Sequence, residues 1–188
     1  MSSPAHPPLA GPDDSSALGL EVGAADASEP VTPLRLRQAL GRFATGVTII
    51  TCLDGQGDRV GLTANSFNAL SLDPPLVLWS LRLQSAQLAA FQQAGSFVVN
   101  VLARSQLAMS RRFASQLEDR FDGGDWSPGV AGAPVLAGCV AVFQCEMATQ
   151  QVAGDHVLFI GRVVALSQQA LAPLVYHAGH YHGLGETL

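Results

Sequence analysis

The chain contains no lysine, and all ten of its basic residues are arginine. That absence removes the phosphate-loop lysine, the Schiff-base lysine and the lysine general base together. Cysteine is also scarce: Cys52, Cys139 and Cys145 form neither an even set nor a C-x-x-C spacing. This argues against a disulfide framework and for reduced thiols. No segment approaches the roughly 18 apolar residues needed to cross a bilayer. The start lacks the cationic and apolar blocks of a secretory signal. The formal charge is -5 and no basic run occurs, so the clustered cations that nucleic acid or anionic lipid would need are missing. A cytoplasmic protein bound to neither nucleic acid nor membrane is expected.

What is present is apolar. Of the 188 residues 48% are hydrophobic and 13% charged, enough to build one packed core. The charge is uneven. Asp13, Asp14, Glu21, Asp26 and Glu29 stand in residues 1–30 with no Arg beside them, in a Pro-, Ser- and Ala-rich stretch without apolar periodicity. Residues 1–30 therefore read as a flexible acidic tail, and residues 31–188 as the folded domain.

Leu36, Leu40 and Phe43 recur at helical spacing, with Thr32 as N-cap and Pro33 in the first turn. Val47 to Cys52 is β-branched and closes on the turn-prone Asp54–Asp58, after which a run from Arg59 to Leu70 completes a hairpin. Leu76–Leu81 reads as a strand buried on both faces, Gln84–Gln93 as helix, Ser96–Leu102 as strand and Ser105–Leu117 as helix. Glu118–Ala133 reads as a long loop, and Cys139–Gln150 and His156–Leu166 as long strands. Many strands and few helices predict a mainly β fold, an antiparallel barrel with peripheral helices. A doubly wound parallel sheet is the weaker alternative, because no G-x-G-x-x-G follows a strand.

Candidate chemistry falls in four places. Thr63-Ala64-Asn65-Ser66 puts small polar side chains inside a strand, where they can meet a planar heterocycle or a phosphate, although a strand edge satisfying its own turn explains them more simply. Ser80, Arg82 and Ser85 make an anion pocket where a strand passes into a helix, or else leave Arg82 as a solvated charge. Asp155-His156 opens a long strand with an imidazole, a side chain that in general can donate, accept or carry a proton. Tyr176 to His182 holds three histidines and two tyrosines, which suits the rim of an aromatic ligand better than zinc, since no Cys or acid completes a ligand set. Asp119, Asp122 and Asp125 lack the glutamate of a calcium loop. No nucleophile elbow and no carboxylate pair in an apolar setting appears, so chemistry would have to come from a cofactor that the protein positions.

The ordered series A-L-G-R-F-A-T-G-V-T-I-I-T from Ala39, G-L-T-A-N-S-F-N-A-L-S-L-D-P-P-L-V-L from Gly61, V-V-N-V-L from Val98, F-A at Phe113, G-D-H-V-L-F-I-G-R-V from Gly154 and G-H-Y at Gly179 resembles the short-chain flavin reductases. The resemblance covers residues 34–184 and implies an antiparallel split β-barrel, the FMN-binding split barrel, usually a homodimer. It implies hydride transfer from NADH or NADPH to FMN or FAD, often to supply reduced flavin to a separate monooxygenase. By that resemblance Thr45, Gly46, Val47, Thr63, Ala64, Asn65, Ser66, Phe113 and Ala114 would border the flavin, and Ser80, Arg82 and Ser85 its phosphate. His156, Gly179, His180, Tyr181 and His182 would meet the nicotinamide. His180 stands where family members often carry Lys or Arg, which leaves NADH and NADPH both open. A non-catalytic FMN-binding barrel, for storage, sensing or electron transfer, is the competing reading.

Overall fold

The computed structural model describes residues 30–117 and 119–187, so the expected acidic tail lies, apart from Pro30, outside the described residues. Helix α1 (Pro33–Leu40) starts where the sequence predicts, with Thr32 Oγ1 accepting from the Arg35 amide at 3.3 Å. Its apolar residues, however, are exposed. After β1 (Thr45–Gly46), strands β2 (Thr48–Leu53) and β3 (Arg59–Ala64) form the expected hairpin. Its turn is held by Asp54 Oδ1, which accepts from the amides of Gln56 and Asp58 at 2.8 and 2.9 Å.

The expected run from Arg59 to Leu70 is broken, because β3 stops at Ala64 and β4 (Asn68–Ser71) begins anew. Asn65 and Ser66 therefore sit in a connection, outside either strand. Strand β5 (Leu76–Arg82) alternates buried and half-buried residues up to Leu81 instead of being covered evenly on both faces. Next come α2 (Leu88–Gln93), β6 (Ser96–Val101) and α3 (Leu107–Phe113), both helices shorter than expected. The stretch read as loop contains β7 (Trp126–Pro128), which pairs with β8 (Pro134–Leu136). Trp126 anchors it, packing on Phe113 and Phe121 and donating its indole N–H to the Phe121 carbonyl at 2.9 Å. Strands β9 (Ala141–Ala153) and β10 (His156–Gln168) form the long hairpin the sequence predicts. A last hairpin, β11 (Val175–His177) and β12 (His180–His182), turns through Ala178 and Gly179, both at positive φ.

Seven strands make one antiparallel sheet in the order β3-β2-β6-β9-β10-β5-β4. Its two end strands are chain neighbours, since only residues 65–67 separate Ala64 from Asn68. Four Cα steps reach at most about 14 Å, whereas the ends of a flat seven-stranded sheet lie about 29 Å apart. The sheet must curl until its edges nearly meet, and the result is an antiparallel split barrel. No strand ladder joins β3 to β4 or β5, so a seam stays open.

Inside the barrel Trp79 stacks on Phe159 at 4.6 Å and meets Phe91 and Phe97 edge-on, all four fully buried. A side chain of that size contributes about 1.5–3 kcal/mol on burial. A second cluster, with Val47, Ile49, Val98, Leu102, Phe113 and Leu136, fills the space between the outer sheet face and α3, β8 and the C-terminal hairpin. Buried Asn100 ties these layers. It donates to the Ile49 carbonyl at 3.1 Å and accepts from the Leu136 amide at 2.8 Å. Among the described residues no helix is long and apolar enough to cross a membrane.

Candidate active site

Register places most of the predicted residues at one end of the barrel. Thr48, which follows Thr45–Val47, pairs with Ala64 at the end of β3. Across the seam Ser66 Oγ donates to the Ser80 carbonyl at 2.9 Å and accepts from the Ser80 amide at 3.1 Å. On the far side of β5, Arg82 stands directly opposite His156 on β10. Helix α3 closes the same end, where Thr63 Oγ1 donates to the Ser110 carbonyl at 2.7 Å and Ser110 Oγ meets the Tyr181 hydroxyl at 3.0 Å. Ser110, wholly buried, thus joins β3, α3 and β12.

These bonds decide what each side chain can still offer. Thr63 and Ser66 have their hydroxyls committed to protein carbonyls, and Ala64 faces the barrel core. Asn65 is the exposed member of the four. Contact with a ligand at this corner therefore falls to main-chain groups and the Asn65 amide. Phe113 is 2% exposed, its ring wedged against Phe121 and Trp126, while Ala114 is exposed beyond the helix. Val47 is equally buried.

Thr45 is different. Its Oγ1 is buried without a hydrogen-bond partner, a costly state unless a ligand supplies one. Beside it Gly46 has nothing within 4 Å of where a Cβ would stand. The other two glycines inside strands are crowded, Gly61 by Phe113 and Gly161 by Phe97. The orphaned hydroxyl lies on one face of β1 and the bare backbone of Gly46 on the other, so a flat polar heterocycle meeting both would have to approach β1 edge-on.

The C-terminal hairpin splits its residues between two faces. Tyr176 and Tyr181 are cross-strand partners and Thr45 pairs with Tyr176, so these three share one face. His177, His180 and His182 share the opposite face with Gly46, which pairs with Val175. Tyr181 is held against Ser110, while His180 and His182 are exposed. The three do not converge on one spot. Gly179 shapes the turn, at φ 85. Among the described residues no group of His, Cys, Asp and Glu is arranged to hold a metal ion.

Near Arg82 the geometry is tighter. His156 Nδ1 lies 2.8 Å from Asp155 Oδ1, and the Asp155 carbonyl accepts from the Leu83 amide at 2.9 Å. The imidazole hydrogen bond, then its charge, holds the Asp155 carboxyl below its usual range. Ser85 takes the next turn, its amide donating to the Arg82 carbonyl at 3.0 Å and its Oγ accepting from the Gln87 amide at 3.3 Å. Sequence reasoning passes over Ser110, while Asp155 and His177 are named only within their candidate segments and given no role of their own. Asp155 reads as a turn residue, and its place immediately before a candidate histidine is the signal for a second role. The three thiols take no part: burial pushes Cys52 up to about 12, Cys139 to about 11 and Cys145 to about 12.

Comparison with known proteins agrees with this architecture. The flavin reductase like domain matches residues 40–185. The chain is 44% identical over 154 residues to a Rhizobium meliloti protein named "Probable flavin reductase". That match takes in 82% of this chain and 50% of the relative, so the chain spans half that protein's length. It is 43% identical over 159 residues to the flavin-dependent monooxygenase reductase subunit HsaB of Rhodococcus jostii, covering 84% of this chain and 81% of HsaB. Among solved structures, the NADH:FAD oxidoreductase SgcE6 of Streptomyces globisporus, in complex with NAD and FAD fragments, superposes with a TM-score of 0.78 at 34% identity. That superposition covers 84% of this chain and 98% of SgcE6.

Proposed function

The chain belongs to the flavin reductase-like family, and from that premise we propose that it is an NAD(P)H:flavin oxidoreductase whose reduced flavin serves a separate monooxygenase. The observation that carries this reading is the pairing of Arg82 with His156 across β5 and β10. A cation for a flavin phosphate and an imidazole for a nicotinamide thereby share one mouth. HsaB, a monooxygenase reductase subunit, and SgcE6, an NADH:FAD oxidoreductase, support the same activity.

When bound together, the nicotinamide supplies a hydride and the FMN or FAD ring accepts it. The chain's own residues bind, orient and exclude water. Thr45 Oγ1, Gly46 and the main chain of Ala64–Ser66 would border the flavin ring; Ser85 and Arg82 would hold its phosphate. Asp155 holds the His156 ring through Nδ1, which leaves Nε2 as the ring nitrogen that would meet the nicotinamide. Of the C-terminal hairpin, the His180 and His182 face borders the open side of Gly46 and is the face offered to the second cofactor. Orientation then supplies most of the rate, because no protein acid or base is needed for hydride transfer.

We also assign residues 31–188 to one working domain, acting in the cytoplasm, where its three free cysteines stay reduced. A homodimer is part of the reading. On and beside α1, Leu34, Leu36, Leu40 and Phe43 are 63%, 48%, 64% and 73% exposed, an apolar strip that suits a second copy. Steady-state oxidation of NADH and NADPH with added FMN or FAD tests the activity. Turnover well above background is expected; background rates with both donors, despite tight flavin binding, would favour the non-catalytic binder instead.

A further inference from the structure

A cavity of about 300 Å³ opens on the outer side of β3, lined by Arg59, Gly61, Gln87, Gln116, Arg120 and Phe121 among others. Its chemistry is that of a mononucleotide site. Arg59 lies over the Phe121 ring at 4.8 Å, and neither Arg59 nor Arg120 forms an ion pair among the described residues. Arg120 is anchored from behind, donating to the Leu117 carbonyl at 3.0 Å and the Gly61 carbonyl at 3.3 Å. Gln116 is exposed, its amide free to read a purine edge. Gln87 connects this cavity to the phosphate corner: turned so that its amide N–H donates to Ser85 Oγ at 3.2 Å, it presents its oxygen to Arg120. Gly61 and Arg59 stand two and four residues along β3 from Thr63, about 7 and 13 Å away. A ligand with its ring at Gly46 and its first phosphate at Ser85 is led past Gln87 into this cavity.

We infer that the cavity binds the adenosine phosphate half of FAD, so that Arg59, Arg120 and Gln116 select the dinucleotide flavin over FMN. The inference rests on the reductase reading above and adds to it a choice of substrate. Arg59, held over the Phe121 ring, and Arg120 meet the second phosphate, and the exposed Gln116 amide receives the adenine edge. FMN, which ends at Ser85, leaves the cavity to water.

Flavin fluorescence titration of the full chain with FMN and with FAD tests this. Arg59→Ala removes an exposed cation, and Gln116→Glu sets a carboxylate beside the phosphates with almost no change of shape. Each variant is expected to raise the ratio of the FAD Kd to the FMN Kd about tenfold, the usual cost of one charge-assisted contact. An unchanged ratio in both variants overturns the inference while leaving the reductase reading intact. A tenfold rise in the KM for NADH with that ratio unchanged would also overturn it, because the cavity would then serve the nicotinamide dinucleotide. Wild-type protein that binds neither flavin would overturn both.

Discussion

Ser66 and Ser80 face each other across the open seam, and the Ser66 hydroxyl both donates to the Ser80 carbonyl and accepts from its amide. One side chain thereby stands in for a strand pair where the ladder between β3 and β5 is missing. Ser66→Ala removes both bonds and leaves the Ser80 amide without a partner, at a cost of about 1–3 kcal/mol. A lower urea midpoint with an unchanged m-value is expected. Since the same contact holds the corner proposed for the flavin, flavin affinity should fall with it; a variant as stable as the parent would show that the seam does not depend on this bridge.

Thr45 leads to a result of opposite sign. Its hydroxyl is buried and unpaired, so Thr45→Val, which keeps the shape, should stabilise the flavin-free protein by up to about 1 kcal/mol. The same change should weaken flavin binding several-fold, because the orphaned oxygen is the group a polar ring would satisfy. Thermal melts with and without FMN read both effects. Loss of stability together with full flavin affinity would show that the hydroxyl serves the fold alone.

The contrast between these two threonine and serine positions shows what the sequence could carry. The long strands were legible, because β2, β6 and β10 hold runs of apolar or β-branched residues and β9 alternates apolar with polar residues from Phe143 to Met147, all bounded by turn residues. Strands β1, β7, β11 and β12, of two or three residues each, were not. Periodicity needs more residues than that, and their pairing depends on distant anchors such as Trp126 on Phe121 and Tyr181 on Ser110. That most of the predicted residues gather at one end of the barrel agrees with the sequence reading, but which of them keep a free donor was not legible. Nothing local in T-A-N-S says that Thr63 is bound to a helix 47 residues on, or that Ser66 reaches Ser80. Likewise only the register of the last hairpin separates Tyr181 from His180 and His182.

The Asp155–His156 pair makes a prediction about the second cofactor. His156→Ala should raise the KM for the nicotinamide donor about tenfold and leave the flavin Kd within twofold if the imidazole meets the nicotinamide as proposed. Asp155→Asn keeps a partner for Nδ1 without the charge and should produce a smaller rise. The Asp155 carboxyl is held below its usual range, so the pair is intact above that range and is lost as pH falls through the lowered value. Donor KM should therefore climb at acidic pH in the parent more than in Asp155→Asn. Equal losses in donor use and flavin binding in His156→Ala would contradict the assignment.

The cysteines give a clean alkaline test. Burial raises Cys52 and Cys145 to about 12 and Cys139 to about 11 from an ordinary value of 9.0. A raised folded value means that the native state holds its protons more tightly, so this stability is fully present below about pH 9 and drains away as pH rises toward 12. Native protein at pH 8 should resist a thiol-specific reagent over hours, and all three thiols should react once urea unfolds it. Rapid labelling of the native chain would mean that the barrel opens far more often than its packing implies.

The apolar strip on and beside α1 sets the last expectation. Leu36, Leu40 and Phe43 occupy the helical spacing that normally faces a core, yet they are 48%, 64% and 73% exposed in the single chain. A second copy covering the strip would remove that area from water at about 25 cal/mol per Å². Sedimentation velocity should find twice the monomer mass for the parent. Leu40→Glu combined with Phe43→Glu places two charges where no buried partner awaits them, and should yield monomers whose far-ultraviolet circular dichroism is unchanged. Helix α1 runs into β1, so loss of the dimer should also loosen Thr45 and Gly46 and weaken flavin binding, and a fully dimeric double variant would move the interface elsewhere on the barrel.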